Sequence, residues 1–325
     1  MKKLILLFSF VLLFAKPLII DDYIYDVKMQ NDNIFLLGNY GIKIFKNYKL
    51  YKNYKKVKAS EQISVYKNFI ASADYNRVYV INYINDNVKT LDFKHIITDI
   101  GIYEGSLFVA TNAGMLYKYD LKNLNLLAKR KIANKKGIHY AFKVKNRLVM
   151  AWYGNKVKVF SDELYKHNIY DEEFYIIACK KPTILQSYLI YQMKTHLIFV
   201  EPKIQSVEYY SDFDDYLIIN LGGEVVVTTF QDSAKLHIPI KGYANYLGSI
   251  ENQFYFVDDR YDFKNYKECP NILFKLNFGG LYSSIKYLKK VPYDRGFIVN
   301  GKIVGFDSHH VWIDNKLVIK SVENN

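Results

Sequence analysis

From Leu18 onward the chain alternates short apolar runs with clusters of Asn, Asp, Gly and Lys, and no stretch carries a long helical period with caps. Short apolar runs bounded by turn residues predict strands, not helices. Aligning the turns exposes a repeat: an apolar strand, a two-residue turn, then a second apolar strand. It reads MQNDNIFLL around Asn33, VYKNFIAS around Asn68, IYEGSLFVA around Gly105 and KVKNRLVMA around Asn146. It continues as ILQSYLIYQ around Ser187, DFDDYLIIN around Asp215, SIENQFYFV around Asn252 and FIVNGKIVGF around Asn300. Asn and Gly recur because tight hairpins require positive φ at the turn, and Asn300-Gly301 is the strongest such signal.

Each hairpin is followed by a second turn and a third strand, as in GNYGIKIF, TNAGMLYKYDL, WYGNKVKVF, NLGGEVVVTTF and FDSHHVWID. A more polar fourth strand follows, such as LNLLAKRKI after Asp120 or AKLHIPI after Ser233. Four strands in a period of about 40 residues is the count of a propeller blade. One such sheet leaves its faces open; stacking blades radially covers both, and closing the ring protects the edges. The second and third strands read apolar on both faces, as in LFVAT and VVVTTF, which suits strands held between neighbouring blades. The expectation is an all-β β-propeller of about eight, alternatively seven, four-stranded blades. The interval of about 28 residues from Ser187 to Asp215 is where a unit would be lost. The segment Leu18 to Tyr25 is expected to pair near the last unit and tie the ring.

The unit SLFVATNAGMLYKYDLKNLNLL is similar to blades of bacterial exported WD40-like and quinoprotein-like propellers. The likeness is one of pattern. The Trp-Asp dipeptide of WD40 blades is absent, and Trp152 and Trp312 are the only tryptophans, so the quinoprotein docking pattern is missing too. In export, length and blade style the chain also resembles the propeller-type accessory protein of periplasmic nitrate reductase systems, with no distinctive motif carrying that likeness. The resemblance implies a periplasmic scaffold in a respiratory setting.

The N-terminus changes the picture of location. Lys2 and Lys3 precede an apolar run from Leu4 to Phe14, followed by Ala15, Lys16 and Pro17. A basic start and an apolar run of about 7–15 residues make a secretory signal, shorter than the roughly 20 residues of a membrane span. Residues 1–15 are therefore expected to be a signal peptide and 16–325 a single propeller domain in the periplasm, with no stable membrane span after removal. Two cysteines, Cys179 and Cys269, fall in non-adjacent repeats and are expected not to pair.

Half of the 325 residues are hydrophobic, enough for a large core, and 31 Tyr and 21 Phe fit a strand-rich chain. The formal net charge is +13. A basic field can attract nucleic acid, anionic membrane or acidic partners. Here the lysines are spread through every region alongside abundant Asn, Ile and Tyr, as codon bias would produce. Lys52, Lys55, Lys56 and Lys58, interleaved with Tyr51 and Tyr54, form the densest run. One such run does not make a nucleic-acid site, and nucleic acid is not an expected partner.

Candidate chemistry is sparse. The seven histidines lack metal-site spacing, and the adjacent His309 and His310 should point apart in a strand-like run. Asp212, Asp214 and Asp215, and Asp258, Asp259 and Asp262, read as solvated turns without the EF-hand spacing. Gly222-Gly223 lies between strands and reads as a hairpin turn, since a phosphate cradle opens a helix. No nucleophile motif appears. The chain is therefore expected to be no enzyme and to need no cofactor; a quinoprotein-like oxidoreductase or ligand-binding propeller is the alternative. One connection stands out: DDRYDFKNYKECPN, from Asp258 to Asn271, replaces the short turn between second and third strands and lengthens its interval to about 48 residues. Long connections in repeats concentrate on binding faces. Arg260, Tyr261, Phe263 and Tyr266 are the expected partner-binding residues, with Cys269 beside them. The partner is expected to be another exported protein, and the chain itself a monomer.

Overall fold

A computed structural model of the chain describes residues 17–57, 62–134, 137, 139–154, 156–164, 171–173, 204, 206–210, 216–220, 224–229, 235–239, 243–251, 253–262, 267–277 and 284–322. Their regular structure is all strand. A short strand β1 (Leu18–Ile20) comes first. Blade 1 follows with β2 (Ile24–Gln30), β3 (Asn33–Gly38), β4 (Gly41–Lys46) and β5 (Lys49–Tyr54). Blade 2 holds β6 (Ile63–Tyr66), β7 (Phe69–Asp74), β8 (Arg77–Asn82) and β9 (Asn87–Asp92). Blade 3 holds β10 (Ile97–Tyr103), β11 (Ser106–Thr111), β12 (Met115–Asp120) and β13 (Leu126–Lys131). Blade 4 holds β14 (Ala141–Lys145), β15 (Leu148–Tyr153), β16 (Lys156–Ser161) and β17 (Asp171–Glu173). Blade 5 holds β18 (Ser206–Tyr210), β19 (Tyr216–Asn220), β20 (Glu224–Thr229) and β21 (Lys235–Pro239). Blade 6 holds β22 (Tyr243–Ile250), β23 (Gln253–Asp262), β24 (Lys267–Asn277) and β25 (Ser284–Val291). The closing sheet is β26 (Arg295–Val299), β27 (Lys302–Phe306), β28 (His310–Ile313) and β29 (Lys316–Ser321), with β1 as a fifth strand on its outer edge.

The fold is an all-β propeller of four-stranded blades. The described residues form six four-stranded sheets and the five-stranded closing sheet. This differs from the expected eight four-stranded blades and from the alternative of seven. The unit read around Ser187 lies outside the described residues.

The repeat turns adopt the conformation their residues favour. Positive φ occurs at Asn31 and Asp32, Lys67, Glu104 and Gly105, Asn146 and Arg147, Glu251, and Asn300 and Gly301. In blade 1 the turn is Asn31-Asp32, so Asn33, on which the alignment centred, already opens β3.

Ring closure is visible in the core. The buried apolar residues fall into seven clusters, each filling a junction between consecutive sheets. Alternation along a single strand feeds two of them. Ile34 and Leu36 of β3 pack against Val304, Val311 and Ile319 of the closing sheet. Phe35 and Leu37 point the other way, onto Ile63, Ile70 and Ile81 of blade 2. The apolar-on-both-faces reading of these strands is therefore their geometry: each face of a blade is covered by a neighbour.

The ends are tied as the sequence led us to expect. β1 runs parallel to β29, with Leu18 opposite Ile319 and Ile20 opposite Ser321. Val322 N donates to Ile20 O at 2.9 Å, and Ile24 N to Ser308 O at 2.8 Å. On the inner side Arg295 Nη1 donates to Tyr25 O at 2.9 Å, so the last sheet and blade 1 are joined at both rims.

Candidate functional site

The inner strands β2, β6, β10, β14, β22 and β26 surround a cavity of about 670 Å³ on the propeller axis. Lys28, Ser64, Asp99, Tyr103, Lys143 and Lys145 supply its polar lining. Lys28 pairs with Asp26 at 2.9 Å, and the Lys143 ammonium lies 5.1 Å from the Tyr246 ring centroid.

Asp99 is the most perturbed carboxyl described there. It sits at a bulge in β10, where the register with β11 shifts between Ile97 and Asp99. Its Oδ2 accepts from Phe142 N of blade 4 at 2.7 Å, and its Oδ1 from Gln62 Nε2 at the start of blade 2 at 2.8 Å. One carboxyl thus bridges three consecutive blades. Burial pushes its pKa up to about 7, against the hydrogen bonds from Phe142 and Gln62, which favour the charged form. Asp26 repeats the device two blades earlier: it too follows a register shift, and its Oδ2 accepts from Ile63 N of blade 2 at 2.9 Å. Blade 6 uses Asn245, whose Nδ2 donates to Asp294 O at 2.8 Å. These polar side chains hold blade to blade, and both oxygens of Asp99 are engaged in doing so. The sequence analysis missed them. Their only trace is a polar residue early in an inner strand, as in Ile24-Tyr25-Asp26 and Ile97-Thr98-Asp99.

The long connection of blade 6 is a different object from the loop expected. β23 and β24 have 10 and 11 residues, against 5 or 6 in the second and third strands of blades 1 to 5. After Asp258 opposite Ile272 the register shifts, and pairing resumes with Arg260 opposite Cys269, Tyr261 opposite Glu268 and Asp262 opposite Lys267. The reason is backbone satisfaction: an outlying segment of this length meets its N–H and C=O groups by pairing with itself. The expected loop of residues 258–271 is thus an extended hairpin. Arg260 and Tyr261 lie on its outgoing strand; Phe263 and Tyr266 lie outside the described residues.

Every blade turns from its second to its third strand at the same end. In the other blades those tips include Tyr40, 60% exposed, and Tyr75, 65% exposed. The hairpin therefore rises from the propeller face on which exposed tyrosines already stand.

His309 and His310 belong to a turn built by Asp307, whose Oδ1 accepts from His309 N at 2.7 Å and His310 N at 2.6 Å. The His309 ring meets Tyr23 edge-on, and the His310 ring lies against Trp312. Both packings are structural. Among the described residues no three His, Cys, Asp or Glu side chains gather as a metal site. Trp152 and Trp312 are buried in the inter-blade clusters. Asp212, Asp214, Asp215, Gly222, Gly223 and Cys179, together with residues 1–15, lie outside the described residues. Among those described, no helix is long and apolar enough to cross a membrane.

No protein-family model matches the chain, and no curated protein matches it. Solved structures do. It is similar to a chain of the mitotic checkpoint complex at 10% identity and TM-score 0.61, over 94% of this chain and 92% of that one. It is similar to the RRP9 WD40 repeats at 8% identity and TM-score 0.60, over 87% of each chain. The Pan2 WD40 domain of Neurospora crassa aligns at 12% identity and TM-score 0.52, over 72% of each. At such identities the likeness is one of fold, and that fold is a WD40-like propeller.

Proposed function

We propose that this chain is a non-catalytic exported scaffold whose propeller docks another periplasmic protein, as an accessory factor in a respiratory system of the nitrate reductase type. The observation that carries the reading is the β23–β24 hairpin. It runs on past the blade, on the face that also bears Tyr40 and Tyr75. A rigid ring that projects a paired two-stranded arm presents a preorganised surface, which lowers the ordering cost of association. Export rests on the basic-then-apolar N-terminus, and the respiratory setting on the resemblance in blade style. The structural neighbours include a propeller within the mitotic checkpoint complex, an assembly of proteins, which is in keeping with a docking role.

Arg260, Tyr261, Phe263 and Tyr266 are the proposed contact residues. Replacing all four by Ala should weaken capture of the partner from periplasmic extract at least about tenfold, since each interface anchor contributes about 1–2 kcal/mol. The melting temperature should stay unchanged. Capture equal to wild type by a normally folded variant would make the arm a passive insertion. A visible absorption band in the purified protein would instead favour the redox alternative.

A further inference from the structure

A second surface, which shares Tyr40 with the hairpin-bearing face, lies where the ring closes. Among the described residues the outermost strands of blade 1 and the closing sheet, β5 and β1, each pair on one side only. Between them runs a groove of about 520 Å³, lined by Leu18, Ile20, Phe45, Leu50 and Val57 and flanked by Tyr40. Ile20, Phe45 and Val57 form its buried floor, while Ile19, 67% exposed, and Leu50, 53% exposed, are its open apolar rim.

Lys55 lines this groove, and Lys49 and Lys56 stand beside its lining residues Leu50 and Lys55; all three are exposed, and among the described residues no carboxylate lies within ion-pair distance of them. Asp86 is already taken by Lys52 Nζ and Tyr54 Oη, each at 2.6 Å. Lys43, inside the groove, is paired with the buried Asp22. The groove's own exposed carboxylate is Asp21, at the β1 end. Tyr51 carries two ammonium groups over its ring, from Lys46 at 5.9 Å and Lys52 at 5.5 Å.

We propose that this junction docks an acidic, extended segment of a partner protein. Its apolar side chains would enter the groove and its carboxylates would meet the β5 lysines. Charge complementarity selects the occupant. A second copy of a chain with net charge +13 would be repelled by the same lysines. The aliphatic lining favours alternating Leu or Val side chains over flat bases, and two open strand edges suit an added strand. Lysines on an edge strand also discourage indiscriminate strand pairing, so an acidic segment is the kind this edge admits.

The test titrates the purified protein into a labelled peptide of about ten residues, the upper range of a strand, alternating Glu and Leu. Saturable binding should weaken as salt is raised. The exposed triple variant Lys49→Glu, Lys55→Glu, Lys56→Glu should weaken it at least about tenfold, and Ile19→Ser with Leu50→Ser should do the same. Both variants should melt with the wild type. The hairpin variant should bind the peptide normally, so failure here and failure of the hairpin reading are separable. The proposal is overturned by an absence of saturable binding, or by variants that bind as wild type. It is equally overturned if a Glu/Ser peptide binds as tightly, or if single-stranded DNA or phosphatidylserine vesicles displace the peptide at lower concentration.

Discussion

At the residue scale, three positions connect chemistry to stability. Asp99 is the first. Its folded pKa of about 7 lies above the ordinary carboxylate value, so the unfolded chain releases the proton first as pH rises. Its contribution to stability is therefore fully present below about pH 4 and is lost as pH rises through about 7. Melting temperatures of wild type and Asp99→Asn, the neutral isostere, should lie closest at acidic pH, and the wild type should fall relative to the variant as pH rises through about 7. Parallel curves would mean that burial does not shift the Asp99 carboxyl. The second position is Lys43, buried beside Asp22. Lys43→Ala strands a buried carboxylate and should cost about 3–5 kcal/mol in denaturant titration, while Asp22→Leu with Lys43→Met should recover most of it. The third is Gly114, at φ +75°, where an added methyl would strike the Ala133 carbonyl. Gly41 repeats this beneath Tyr54 in blade 1. Gly105 has a similar φ of +80° but open space around it. Gly114→Ala should therefore destabilise by more than about 1 kcal/mol, and by more than Gly105→Ala.

At the scale of elements, the turns were the legible part. Asn146, Gly105 and Asn300-Gly301 marked hairpins because few residues tolerate positive φ, and the chain turns there. The polar fourth strands were legible as well. LLAKRK became the exposed outer strand β13, because an outer edge faces water on one side. The blade 6 connection was misread for a physical reason. Asp258 to Asn271 contains Pro270 and few apolar residues, so nothing in its hydropathy distinguishes a loop from a self-paired hairpin, and Asp258, expected in a solvated turn, is buried. The inter-blade ties were invisible for another reason: a hydrogen bond from Phe142 N to the Asp99 carboxylate joins positions 43 apart, and one chain gives no signal at that range. Trimming residues 260–269 to a two-residue turn should leave the melting temperature within error of wild type while partner capture falls. A large loss of stability would show that the arm packs on the body.

At the scale of the whole molecule, the account rests on a ring of sheets whose junctions are the core. No blade has an interior of its own; Phe35 belongs to the first junction and Ile34 to the last, one residue apart. Such a ring is as strong as its closure, where a three-residue strand and the Arg295 bond to Tyr25 complete the circle. The measurement that tests this most directly is hydrogen exchange of the wild type beside a variant lacking residues 17–21. In the wild type, amides of β29 and of β1 should be protected like those of the other blades. In the variant, protection should fall first in the closing sheet and blade 1, with a clearly lower melting temperature. Unchanged protection in those two sheets, with an unchanged melt, would contradict closure by the N-terminal strand.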